Sequence, residues 1–472
     1  MTKEKSCVII GAGLAGLAAG YKLKTEGWNI TILEARDRIG GRVFTYRFRE
    51  NPSLYCELGG EWVGRDHHRV IDLCDEFSLD LIPHRFDSSF AERGKILETL
   101  PPGKWPFAPK LKAILKKKAR AILNKKPGDV QFQKDFDKQD WWTFLRDLKF
   151  SRKDLLRRDL MDSTDFGESI RQVGAYSAAS EYYESNQSNP YDEMDLRIEG
   201  GNSRLVNALA ERIGLNAIHT CMEVKEIDQK GGIVTVRAED NRTEVFPPPR
   251  PKRKNSKKCL PSRRASFPAS YCICTVPARV LNDIHFHHPE LSSRHKKAAK
   301  ELQYARIMKT VLLFENRFWQ KKKGTKFSCF TDGTSDFVFD ATLKQLPGEG
   351  ILCSYAIGDK ADDLAACGKE ELRQAIEHDL APLFPGENIK AIAIERYAWQ
   401  EDKYTQGAYA LYRPGQWFPV REALKTKHKD VYFAGEHLAD EQGFMDGAID
   451  SGEEAAHKII KAYGVHRAKA KK

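Results

Sequence analysis

The chain carries a glycine-rich strand-to-helix turn near each end: CVIIGAGLAGLAAG at Cys7–Gly20 and VYFAGEHLADEQGFMDGAIDSG at Val431–Gly452. In the first, CVII reads as a short buried strand, and Gly11, Gly13 and Gly16 follow at G-x-G-x-x-G spacing. The first glycine permits the tight turn, the second lets backbone approach a pyrophosphate, and the third lets helix and strand pack closely. Leu14 and Ala15 open the helix, whose free N–H groups and dipole favour an anion. Alone, this motif is weak evidence. A second strand, NITILEA, strengthens it by placing Glu34 eighteen residues after Gly16, close to the ~20 expected of an acid that binds ribose hydroxyls. A carboxylate there repels a 2′-phosphate, so NADP is disfavoured. Next comes ARDRIGGRV, which supplies Ala35, Arg36, Gly40, Gly41 and Arg42. A second cluster of glycines and arginines suits a deeply wrapped cofactor with a buried pyrophosphate, which points to FAD.

Length and charge narrow the class. At 472 residues the chain suggests two or three domains. Its composition is that of a soluble globular protein, and no apolar run approaches the ~18 residues of a membrane span. The first strand begins so early that a signal peptide has no room, and a cytoplasmic setting is expected. Ten cysteines form no CxxC pair or zinc spacing and read as reduced, mostly buried thiols. No metal is expected either, because Asp66, His67 and His68 of GRDHHRV include adjacent histidines that point apart on a helix.

The net charge of +11 sits in appendages: residues 246–268 hold eight Lys/Arg and no acid, and the tail 466–472 holds four more. Without them the body is near neutral, which makes nucleic acid an unlikely partner. Both segments lack apolar periodicity and read as a disordered insertion and a frayed basic tail. The insertion's functional readings are a localisation signal, a phosphoacceptor at Ser266, or an RNA or membrane contact. A third basic run, from Lys110, repeats Leu111, Ile114, Leu115, Ile122 and Leu123 at helical spacing and reads as an amphipathic helix packed on the body, with membrane-surface contact as the weaker option.

Seven pieces, VIIGAGLAGLAAGYKL, EARDRIGGRV, ELGGEWVG, LRIEGGNSRLVNALAERIG, CTVPARVL, MKTVLLFENRFW and FAGEHLADEQGFMDGAIDSG, resemble the flavin-containing amine oxidase family in its order and spacing. That family includes monoamine oxidases, polyamine oxidases and L-amino-acid oxidases. The resemblance implies an α/β fold with a Rossmann-like FAD-binding domain assembled from discontinuous segments, 1–85, 197–285 and 392–465. An α+β substrate domain follows from 86–196, mainly helical, and 286–391, with a helical lid over the pocket. The first glycine turn takes the pyrophosphate and the last closes over the flavin. By the same resemblance Gly59, Gly60, Glu61 and Trp62 lie at the cofactor, and the backbone of Val224 holds the adenine. Gly435 and Glu436 stand near the ribityl and pyrophosphate, while Phe444, Met445 and Ala448 belong to the closing turn, Met445 reaching the flavin pyrimidine.

In MKTVLLF, Lys309 points the same way along a strand as Ile307, Val311 and Leu313, so an ammonium lies on an apolar face. It needs a partner or gives up its proton. The resemblance gives it a water held against flavin N5. It also pairs Tyr409 with Phe444 as aromatic walls around the substrate nitrogen, with Trp399 ahead of them. Ala408 stands where monoamine oxidases carry the cysteine that attaches flavin, so non-covalent FAD is expected. The implied reaction takes an amine C–N bond to an imine, then to aldehyde or keto acid plus ammonia, with O2 reduced to H2O2. A primary amine or polyamine is the preferred substrate. An L-amino acid is the alternative and needs a fixed arginine for its carboxylate, for which Arg65 and Arg413 are candidates. Glu61 and Trp62 occupy the stretch where snake-venom-type oxidases place an arginine, which favours amines. A flavin-fold protein that associates with nucleic acid or chromatin through its basic loop is a second alternative. A homodimer is compatible with all of these.

Overall fold

The run SCVII forms the strand Ser6–Ile10 at the centre of a five-stranded parallel sheet. Its neighbours on one side are Tyr271–Cys274 and then Val431–Phe433, and on the other Asn29–Leu33 and then Ile218–His219. Parallel strands covered on both faces read as unbroken apolar runs, which is why CVII and YCIC carry no alternation. The helix Leu14–Thr25 returns over this sheet on a face of Ala, Gly and Leu. The closing helix, Met445–Ala470, crosses it so closely that a Cβ on Gly452 would stand 2.1 Å from the carbonyl oxygen of Ala15. Both glycine turns of the sequence therefore belong to one sheet.

This computed structural model describes residues 3–100, 113–114, 127–180, 195–242, 264–320, 326–342, 344–440 and 442–470. Its contacts divide the chain into two units: Met1–Gly41, Val206–Glu301 and Glu422–Lys472, and Arg42–Leu205 with Leu302–Arg421. Residues 42–85, 197–205 and 392–421 thus lie in the second unit and 286–301 in the first, where the sequence had assigned them otherwise. The first unit adds a four-stranded sheet in the order Arg264–Ala269, Ile233–Asp240, Met222–Lys230, His285–His287.

The second unit is built on a seven-stranded sheet in the order Ala393–Ala398, Ile307–Phe314, Gly350–Ile357, Phe337–Asp340, Phe327–Thr331, Asp87–Glu92, Lys95–Leu100. Every residue of Ile307–Phe314 is buried. Met308, Leu312 and Phe314 pack into one apolar cluster, and Ile307, Val311 and Leu313 into another that contains Phe86, Phe90, Phe330, Phe337 and Phe339. Period-two alternation puts Lys309 on the second face, as the sequence indicates. The helices Pro127–Asp137, Trp141–Asp147 and Arg152–Phe166 contribute to a third cluster around Trp141, Phe144 and Ile170.

Two expectations are corrected. Residues Arg264–Pro268, assigned to the disordered insertion, form an edge strand paired with Ile233–Asp240, with Arg264 opposite Glu239 and Ser266 opposite Arg237. Pro268 is tolerated because an edge strand needs no donor on its outer side. The basic tail is helical through Ala470. Alanine, lysine and arginine favour the helix, and cations suit its C-terminus. The rest of the insertion, most of the run from Lys110 and residues 181–194 of the lid lie outside the described residues. Among the described residues no helix is long and apolar enough to cross a membrane.

Candidate active site

In the first unit the opening turn has the form its glycines imply. Gly11 has φ +101° and a Cβ there would meet Thr275 Oγ1 at 2.5 Å, while one on Gly16 would lie 2.0 Å from the carbonyl of Gly11. Gly13 is different: it precedes the helix with no side-chain cap, and a Cβ there meets nothing within 4 Å. The space beside Gly13, at a helix start with no side-chain cap, fits an anion. The IGGRV turn joins this loop through the Gly40 N–H, which donates to the Ala12 carbonyl at 2.8 Å, and Arg38 Nη1, which donates to the Gly41 carbonyl at 2.9 Å.

Glu34 is buried beside it. Its Oε2 accepts from the Ala12 N–H and its Oε1 from the Arg36 N–H, both at 2.9 Å, and the Arg36 guanidinium lies 3.6 Å away. Backbone donors thus hold the carboxylate in place. The following strand is tied in through the Met222 N–H to Glu34 O at 2.7 Å, Cys221 N–H to Arg36 O at 2.8 Å, and Asn241 Nδ2 to Ala35 O at 2.8 Å. Val224 is buried where the pairing of Met222–Lys230 shifts register. In the closing turn the Gly435 N–H donates to Ser451 Oγ at 2.9 Å, buried Glu436 accepts from the Gly443 N–H at 3.0 Å, and the Ala448 N–H donates to the Phe444 carbonyl at 3.2 Å. Met445 begins the final helix.

The second unit holds a buried ion pair. Lys309, 3% exposed, directs Nζ at three acceptors: Gly59 O at 2.9 Å, Glu61 Oε2 at 2.9 Å and Glu57 O at 3.3 Å. The other oxygen of Glu61 lies 3.0 Å from His84 Nε2. The loop is fixed by Asn202 Nδ2, which donates to Gly60 O and Glu61 O at 2.9 and 2.8 Å, by the Gly60 N–H to Arg42 O at 3.0 Å, and by Trp399 Nε1, which donates to Leu58 O at 2.8 Å. The rings of Trp62 and Phe339 stand 5.4 and 5.9 Å from the ammonium. Burial pushes the Glu61 carboxyl up, but the Lys309 ammonium and His84 override it and hold Glu61 at about 2. Burial also opposes the charge on Lys309, and the Glu61 carboxylate raises it above its ordinary value. His84 is lowered to about 4 by burial and then by the Arg197 charge, and Glu57 is raised to about 7 by burial and then by Glu61.

Beside this, the Tyr409 hydroxyl donates to the Asp165 carbonyl and lies 3.5 Å from the hydroxyl of Tyr355, whose own ionisation burial pushes up. Tyr409 belongs to the second unit and Phe444 to the first, and each is placed within its own. Arg65 Nε binds Asp195 at 2.7 Å, Arg85 shares that carboxylate, and Arg413 donates to Gln172 Oε1 at 2.9 Å from an exposed position. Sequence reasoning missed His84, Asn202 and Tyr355. Only Tyr355 left a signal, since it shares the face of Cys353 and Ile357 in Gly350–Ile357.

Residues 14–460 match the family described as flavin containing amine oxidoreductase. The chain belongs to that family. Its similar proteins include the L-amino-acid oxidase of Crotalus adamanteus, 26% identical with 98% of this chain and 88% of that protein covered. That of Bothrops atrox is 27% identical with 98% and 90% covered. Among solved structures, putrescine oxidase bound to putrescine has a TM-score of 0.79 at 21% identity, covering 98% of this chain and 100% of that one. Cyclohexylamine oxidase from Brevibacterium oxydans has 0.78 at 21%, covering 97% and 99%. The fold is thus a Rossmann-like FAD domain plus a substrate domain, and the chemistry is FAD-dependent oxidation of an amine. The residues present fit that cofactor. Beyond the uncapped helix start at Gly13, the buried Trp62 Nε1 has no hydrogen-bond partner among the described residues.

Proposed function

We propose that this family member oxidises a primary amine or polyamine, R–CH2–NH2 + O2 + H2O giving R–CHO + NH3 + H2O2, with non-covalent FAD. One observation carries the choice of substrate: both arginines considered for a carboxylate are committed elsewhere, Arg65 to Asp195 and Arg413 to Gln172. An amino acid would bring a carboxylate that neither of these two guanidinium groups is placed to receive, and a buried charge left unpaired is expensive. The L-amino-acid oxidase reading draws support from the Crotalus and Bothrops relatives and is kept as the second.

Bound FAD supplies the two-electron acceptor for the amine's α-hydrogen and returns the electrons to O2 as H2O2. In the first unit, Gly11, Gly13, Gly16 and the helix start would hold its pyrophosphate, Glu34 its ribose, Val224 its adenine, and Glu436 and Met445 the closing turn. In the second, Gly59, Gly60, Glu61 and Trp62 would line the reacting end, with Lys309 holding positive charge there. Tyr409, fixed through its hydroxyl, would orient the amine. Nine free cysteines among the described residues, eight of them buried, support a reducing, cytoplasmic setting.

The test is oxygen consumption with a panel of primary amines, polyamines and L-amino acids. Amines should turn over and amino acids should not, and R413A should leave amine kinetics unchanged. Turnover of L-amino acids that R65A or R413A abolishes would establish the second reading instead.

A further inference from the structure

We infer that Glu61 and His84 are positioning residues that keep Lys309 a fixed, permanently charged ammonium, so that it serves the reaction as a cation and not as a proton acceptor. The inference rests on the reading that Lys309 stands at the reacting end of the flavin site. An ammonium has three N–H donors and no acceptor, and Lys309 has three acceptors around it: Gly59 O, Glu61 Oε2 and the longer Glu57 O. The two short contacts, to Gly59 O and Glu61 Oε2, fix where the ammonium sits.

The arrangement continues outward. An ionised Glu61 only accepts, so the contact between its Oε1 and His84 Nε2 at 3.0 Å requires the proton on Nε2. His84 is fully buried and its Nδ1 has no hydrogen-bond partner among the described residues, as a lone pair left by that tautomer would be. The imidazole is clamped by Phe86 and Phe339 at ring distances of 4.8 and 6.3 Å. It therefore cannot turn away from the carboxylate without leaving its slot. The ionisable groups that bear on this chain are Glu57, Cys56 and Cys353 near Lys309, and Arg197 and Asp340 near His84. Glu61, unlike these, combines a formal charge with a direct side-chain contact to Lys309. The directions of ionisation agree: Glu61 is held at about 2, His84 is lowered to about 4, and Lys309 is raised.

Removing the Glu61 charge takes away the largest influence that opposes burial at Lys309 and leaves only the weaker ones of Cys353 and Glu57, and a buried lysine that has lost its counter-ion gives up its proton more readily. In E61Q the folded pKa of Lys309 falls below its unfolded value, so the unfolded chain binds more protons in the alkaline range and stability rises with pH. With Glu61 present the sign is opposite. The raised pKa gives stability that is complete below the unfolded pKa and is lost as pH rises through the folded one.

The first experiment uses FAD-free protein, comparing denaturant midpoints of E61Q and the double variant E61Q/K309M from about pH 7 to pH 10. The difference should grow in favour of E61Q as pH rises, and a difference independent of pH overturns the inference. The second uses the holoenzyme. The pH profile of turnover in E61Q should acquire a limb that falls about tenfold per unit above a new, lower pKa. H84F should move the same way by less, and H84Q, which keeps a donor there, should give back what H84F loses. Superimposable profiles for wild type and E61Q count against the proposal. If the apoprotein shows the expected pH slope while no amine is oxidised by the FAD-loaded protein, the inference about Lys309 stands and the proposed function falls.

Discussion

Glu57, at the end of the strand Tyr55–Glu57, and Glu61, four residues on, fall on opposite sides of their ordinary range, Glu61 at about 2 beside Lys309 and Glu57 at about 7 through burial and then Glu61. Glu57 keeps company with donors, the Asn202 N–H at 2.8 Å and Thr45 Oγ1 at 2.9 and 3.0 Å, yet these do not offset the loss of water. A raised carboxyl gives stability that is complete below the unfolded pKa and is lost as pH rises through the folded value. Wild-type stability should therefore fall by about 3 kcal/mol from this group between about pH 4 and pH 8. E57Q should abolish that part of the slope, as read by denaturant unfolding at several pH values. Trp399 offers a second case. Its indole N–H holds the Leu58 carbonyl, and W399F should cost about 1–2 kcal/mol by orphaning that oxygen, as measured by the shift in unfolding midpoint. The face on which Lys309 lies was legible from alternation in MKTVLLF. Its counter-ion was not, because Glu61 is 248 residues away and no local pattern records such a pairing. For the same reason Glu61 was read only as part of a cofactor loop, and His84 was passed over.

At the scale of elements, the two glycine turns were the most legible part of the chain, because each glycine answers a short-range steric demand. The close crossing of Leu14–Thr25 and Met445–Ala470 makes a falsifiable case. G452A would press a Cβ to 2.1 Å from the Ala15 carbonyl, so it should separate the helices and weaken FAD retention by at least tenfold, about 1.4 kcal/mol, as followed by flavin release on dilution. The basic insertion was legible in composition and misjudged at its edge. Charge and proline in RASFP pointed to disorder, but Arg264–Ala269 gains an ordered place by pairing with Ile233–Asp240, a tertiary partner that outweighs local preference. Because Asp240 and Arg264 bracket the insertion on paired strands, deletion of residues 246–260 should leave amine turnover and FAD content unchanged. A large loss of turnover would move the basic segment from appendage to active part.

For the molecule as a whole, the order of motifs revealed the family and the α/β class, since their spacings extend from Gly11 to Gly452. The contact-defined units begin and end elsewhere than the motif-based domains, because Arg42–Trp62 pack through Lys309, Trp399 and Asn202 and thereby belong with the second unit. Substrate identity was the least legible property, since it depends on where Arg65 and Arg413 find partners. The central claim is that the protein carries FAD and reduces it with an amine, and it is tested most directly by anaerobic titration of the purified holoprotein's flavin absorbance. The account predicts stoichiometric bleaching by a primary amine or polyamine and recovery on admitting O2. Bound flavin that no amine bleaches would contradict it.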